Sequence, residues 1–118
     1  MKDLAPDILR QRLLIEGYYT KDIGRAEVEG YLLGVAKHLS LRTYAPPIIH
    51  SPGGEGREIN QGYDAFVPLI DSGIALYVWT QRRFFSTVIY TCKRFDVEAA
   101  LRFTHDFFGA SGTEHAAF

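Results

Sequence analysis

A single cysteine, Cys92, in a chain of 118 residues leaves no partner for an internal disulfide. The first residues, Met1 to Asp7, lack the apolar stretch of a signal peptide, so a reducing, cytoplasmic setting is the expectation. No apolar run approaches the roughly 18 residues that a membrane span needs. Neither sign of charge dominates: 13 Lys and Arg face 14 Asp and Glu, which gives no electrostatic footprint for nucleic acid or an anionic membrane. The histidines, His38, His50, His105 and His115, show no paired ligand spacing, so a metal site is not expected. No Gly-x-Ser-x-Gly elbow surrounds Ser72 or Ser86, and no Gly-Lys-Ser or Gly-Lys-Thr follows the glycines of residues 51–56. A hydrolase triad and a phosphate cradle are thereby unsupported.

What is present suits one compact core. Hydrophobic residues make up 47% of the chain and aromatics 14%, enough apolar surface to close a single domain of this length. Residues 12–19 form a short apolar run ended by glycine and tyrosines, read as a buried strand. From Arg25 the period changes: Val28, Tyr31, Leu32, Val35, Ala36 and Leu39 line one face of a helix reaching about Ser40, while Arg25, Glu29 and Lys37 occupy the other. A second strand is expected over 41–45, stopped by Pro46 and Pro47. Residues 46–62, rich in glycine, read as a loop long enough to cover a ligand or simply to connect.

Three further strands are predicted over 63–70, 73–79 and 84–92, the last two joined by a hairpin connection at 80–83. Ile74, Leu76 and Val78 alternate with Ala75, Tyr77 and Trp79, so one face can pack under helices while the other offers aromatics. Pro68 points to an edge or a bulge in its strand. Asp96 is placed to cap a last helix whose apolar stripe is Val97, Ala100, Leu101, Phe107 and Phe108, with Gly109 as its stop. Residues 1–11 and 110–118 read as flexible tails of a single domain. The expected fold is therefore α+β: a two-layer sandwich, mainly antiparallel sheet, with two helices packed on one face.

Chemistry concentrates in one stretch. Asp71 and Ser72 open a strand, and Cys92 follows 20 residues later at the end of the next one. From Asp71 through Cys92 the chain resembles the prokaryotic S-adenosylmethionine decarboxylase proenzymes. Their pattern is acidic-Ser-His-Leu-Ser/Thr-Ile-His-Thr-Trp, followed at the same distance by Phe-Thr-Cys. Ser72, Trp79 and the triplet Tyr90, Thr91, Cys92 fall in register, and the similarity covers most of residues 12–108.

The resemblance implies that the chain cuts itself between Asp71 and Ser72, Ser72 becoming a pyruvoyl group. Its ketone would take up the electrons released as carbon dioxide leaves an amino-acid substrate, in the service of polyamine biosynthesis. Cys92 would return a proton to the substrate carbon, a role suited to a thiol whose reference pKa of about 8.5 leaves it protonated yet labile. Family members build each site from two chains, which implies a homodimer acting on an amino-acid or nucleoside-type small molecule. The parity of the strand agrees: Ser72 and Tyr77 are an odd number apart and should face opposite ways on a regular strand.

Two processing positions depart from the family. Its histidine five residues after the serine is Tyr77 here, and its serine eight residues before is Asp64. Imidazole, with a reference pKa near 6.5, is largely free base at neutral pH, whereas a phenol near 10 is ionised to roughly one part in a thousand. Asp64 as a carboxylate would repel the oxyanion formed during cleavage; buried and protonated, it would instead donate to that oxyanion or act as the missing base. Gly73 stands where the family has histidine and loosens the backbone beside the bond to be cut. Glu55, Glu58 and Asp64 are candidates for holding a substrate amine. Two functions follow: a pyruvoyl-dependent decarboxylase, or an uncut relative that binds small molecules or regulates an active homologue.

Overall fold

The computed structural model describes residues 1–51 and 61–118. Its elements run β1 (Gln11–Tyr18), α1 (Arg25–His38), β2 (Ile48–His50), β3 (Gly62–Leu69), β4 (Ser72–Trp79), β5 (Phe84–Thr91), α2 (Val97–Phe108) and β6 (Thr113–Ala117). The strands form one sheet in the order β2-β3-β4-β5-β1-β6, every neighbour antiparallel. This is the expected α+β sandwich, with both helices lying over the side that carries Leu13, Ile15, Val67, Ile74, Leu76, Phe85 and Ile89, all buried.

Period explains each layer. Five of the six predicted apolar positions lie in α1 and the sixth, Leu39, caps its end; all are buried, and the chain enters the helix through a Glu27 side chain that accepts from the Gly24 amide at 2.8 Å. In α2 the Asp96 carboxylate accepts from the Ala99 amide at 3.3 Å, satisfying one of the free N–H groups of the first turn. Gly109 closes the helix at φ 58°, a conformation that costs glycine little. Between helices and sheet, Phe108 stacks on Phe85 with centroids 4.0 Å apart, and Tyr31 meets the Phe108 ring at 5.0 Å. The buried Tyr31 hydroxyl is satisfied by Thr104 at 2.9 Å, a polar contact that joins the two helices inside this aromatic cluster.

Three expectations are corrected. Residues 41–45 make no strand: only Thr43 bridges to Leu69, and the second strand lies after the two prolines, at Ile48–His50, where it pairs with Asp64, Ala65 and Phe66 of β3. Residues 46–62 are thus not loop throughout, and residues 52–60 of that stretch, with Glu55 and Glu58, lie outside the described residues. Finally, the segment read as a flexible tail contains β6, which hydrogen-bonds along β1 from Gly17 to Leu13 and supplies the partner that this edge would otherwise lack.

Pro68 sits in a non-edge strand but in the part of β3 that β2 does not reach. Its carbonyl accepts from the Tyr44 amide at 2.7 Å, so its missing N–H faces the irregular chain at 42–44 instead of a ladder.

Candidate functional site

The side of the sheet away from the helices is ordered in rows that follow from the register. One row contains Pro68, Gly73, Tyr90 and Arg12; the next Phe66, Ala75, Val88 and Leu14; a third Asp64, Tyr77, Ser86 and Glu16; the last Gly62, Trp79, Phe84 and Tyr18. Large apolar groups remain exposed on it, among them Tyr18, Phe66, Tyr77 and Tyr90.

Ser72 begins β4 with φ 128°, which L side chains rarely adopt. A non-glycine residue held there stores strain of the order of 1–3 kcal/mol, and it does so at the Asp71–Ser72 peptide. Ser72 pairs with Leu69 and Thr91, helix-side positions, and is among the residues that line a pocket of about 350 Å³, with Phe66, Gly73, Ala75, Val88 and Tyr90.

Asp71 and Cys92 are brought together. The Cys92 amide donates to the Asp71 carbonyl at 2.9 Å, and the thiol-bearing residue is exposed just beyond the end of β5. An N–H aimed at a carbonyl polarises it and stabilises negative charge that develops on its oxygen. The Asp71 side chain adds a second feature: its Oδ2 is sealed from solvent and meets no donor among the described residues.

Tyr77 and Asp64 are not part of this assembly. They are cross-strand partners of one another, and both are exposed. At about 3.3 Å per residue, five residues put Tyr77 about 16 Å along β4 from Ser72. A buried environment for Asp64, in which it would donate to an oxyanion, is not supplied by this chain alone. Arg83 does not approach Tyr77 either: its guanidinium donates to the carbonyls of Thr20 and Lys21 at 2.7 and 3.0 Å and lies over the Tyr19 ring. Trp79 is half-buried against Phe84, at 5.4 Å between centroids.

Two features were absent from the sequence reading. Phe66 covers Gly73 so closely that a Cβ built there would overlap the far end of the ring. Ser86 donates to Glu16 at 2.8 Å in the row that also holds Tyr77. The alternation of β3 signals that Phe66 is outward, but nothing in one strand reveals what its ring will cover in the next. Among the described residues no three His, Cys, Asp or Glu side chains gather to hold a metal ion. No helix among them is long and apolar enough to cross a membrane.

No family model matches the chain, and no curated protein matches it. Among solved structures, the adenosylmethionine decarboxylase of Aquifex aeolicus VF5 is similar over 94% of this chain and 89% of its own, with a TM-score of 0.74 at 18% identity. At that identity the likeness establishes the fold: the chain shares the α+β sandwich of an adenosylmethionine decarboxylase.

Proposed function

We propose that this chain is a pyruvoyl-dependent decarboxylase acting on S-adenosylmethionine or a related amino acid, with Ser72 as the residue converted to pyruvoyl. One observation carries the reading: a strained Ser72 follows a carbonyl, that of Asp71, already bonded to the Cys92 amide. Attack by the Ser72 hydroxyl on that carbonyl forms an ester C–O bond and breaks the C–N bond, the hydroxyl proton passing to the departing nitrogen. Loss of the Ser72 α-proton then expels the Asp71 carboxylate, and water replaces the nitrogen as ammonia. Strain at Ser72 is relieved when the peptide breaks, and the Cys92 amide is placed to hold the oxyanion.

The surroundings fit the group so formed. Ser72 opens on an apolar pocket whose volume, about 350 Å³, suits part of a small ligand. A pyruvoyl group supplies an electron sink when present. The chain's own residues then have separate tasks: Phe66, Val88 and Tyr90 exclude water, and the exposed Cys92 thiol delivers a proton. A homodimer would bring the Tyr77 and Asp64 row of one copy to the Ser72 of the other, across the aromatic face that each leaves uncovered.

A second reading has its own support. Tyr77 and Asp64 stand where the resembling family has its processing histidine and serine, and an uncut chain with this fold would serve as a small-molecule-binding or regulatory subunit. Intact mass under denaturing conditions separates the two. The first reading expects two fragments meeting at Asp71 and Ser72, the second of them blocked to amino-terminal sequencing. A single full-length species that releases no carbon dioxide from S-adenosylmethionine supports the second and removes the first.

A further inference from the structure

At the far end of the row that holds Gly73 and Tyr90, the chain forms a pocket in which positive charge exceeds its partners. About 490 Å³ of space lies between the first residues, the start of β1 and the end of β6. Lys2, Arg10 and Arg12 line it, against one side-chain carboxylate, Asp3. That carboxylate is already engaged: Arg10 forms an ion pair with it, and the Ala5 amide donates to the same oxygen. Arg10 also donates to the Ala5 carbonyl. Neither Lys2 nor Arg12 has a carboxylate partner among the described residues.

Arg12 is the informative member. Its Nε is cut off from solvent and meets no acceptor, while buried donors in folded proteins are almost always paired. Its guanidinium carbon lies 5.5 Å from the centre of the Phe118 ring, which fixes the plane of the group against an apolar wall that Leu4 extends. A half-buried guanidinium held by a ring, in a pocket that Lys2 also lines and whose one side-chain carboxylate, Asp3, is already held by Arg10, has the composition of an oxyanion receptor, because guanidinium forks match carboxylate and phosphate geometry. The pocket shares no lining residue with the one beside Ser72, although Arg12 and Tyr90 are cross-strand neighbours.

We propose that the pocket of Arg12, Lys2 and Phe118 is a binding site for a small organic oxyanion, the carboxylate or phosphate group meeting Arg12 and Lys2 and an apolar body resting on Phe118.

The full chain can be titrated with benzoate, inorganic phosphate and, as a cationic control of similar shape, benzylamine, observing the Arg12 Nε–H resonance and the backbone amides by NMR. At least one anion is expected to bind tenfold or more tighter than benzylamine, moving Arg12 Nε–H and the Phe118 amide, and to weaken as salt is raised. Arg12→Gln should lower that affinity at least tenfold, and Lys2→Gln, at an exposed position, severalfold. A stronger response to benzoate that Phe118→Ala reduces identifies a carboxylate on an apolar body; a stronger response to phosphate identifies a phosphate ligand. The proposal is overturned if neither anion outbinds benzylamine, or if Lys2→Gln and Arg12→Gln bind as the parent does. Should Arg12→Gln fail to fold, the Lys2→Gln affinity and the shift at Arg12 Nε–H in the parent decide alone.

Discussion

The amide of Cys92 and the carbonyl of Asp71 are hydrogen-bonded at 2.9 Å, so the residue that bears the only thiol also touches the peptide bond proposed to break. The contact belongs to the backbone and survives loss of the sulfur. Cys92→Ala should therefore be cut between Asp71 and Ser72 at a rate within a few-fold of the parent, while release of carbon dioxide falls by a factor of about 100, the scale of a lost proton donor. Fragment masses followed over time, beside trapped carbon dioxide, separate the two effects. Equal losses in both would mean that the thiol and not the amide matters to cleavage.

Asp64 and Tyr77 oppose one another on adjacent strands, so changes there should not act independently. Tyr77→His supplies a base, but Asp64 remains as a negative neighbour. Asp64→Ser removes the charge without adding a base. The pair together is expected to accelerate cleavage at least tenfold over either alone, judged by the half-time of fragment appearance. If the double variant stays full length, these two positions are not what limits processing.

Phe66 occupies the space that a side chain at Gly73 would need. Gly73→Ala must push aside the far end of this exposed ring, so its cost falls at or below the low end of the ~1–3 kcal/mol typical of overpacking a closed core. In a Phe66→Ala background the same substitution should cost much less, since the obstacle is gone. Chemical denaturation of the four proteins gives the coupling directly; additive effects would place the ring elsewhere in solution.

Burial raises the Tyr31 phenol from 10.0 to about 12, the Thr104 hydrogen bond opposing part of the rise. Below pH 10 the folded and unfolded chains both keep this proton. Between pH 10 and about 12 only the unfolded chain releases it, so stability falls with rising pH, by roughly 3 kcal/mol over a shift of ~2 units. Tyr31→Phe should lose about 1–2 kcal/mol at pH 8 by leaving Thr104 unpaired, and should flatten the decline above pH 10. Urea titrations at pH 8 and 11.5 test both parts.

Long periodic segments are legible in the sequence. The stripe of α1, the alternation of β4, the Asp96 cap and the Gly109 stop each rest on a repeat or a local rule that neighbours in sequence satisfy. The short edge strands are not. Three residues, Ile48–His50, cannot display a period, and Thr113–Ala117 reads Thr-Glu-His-Ala-Ala, without apolar alternation; both are strands because β3 and β1 offer them backbone partners. At the candidate site, the nearness of Asp71 and Cys92 follows from a hairpin and was readable. The positive φ of Ser72, the ring of Phe66 over Gly73 and the engagement of Arg83 with residues 20 and 21 arise from contacts across the fold and leave no local signature.

The rims of the sheet carry a consequence for how copies of this chain can meet. β2 has three residues and β6 has five, so neither border presents a long ladder of free amides to a newcomer. Addition of a foreign strand, the commonest route to runaway fibre growth, finds scant template there. What the described residues offer most broadly is the open face, where Tyr18, Phe66, Tyr77 and Tyr90 are exposed, and not either border.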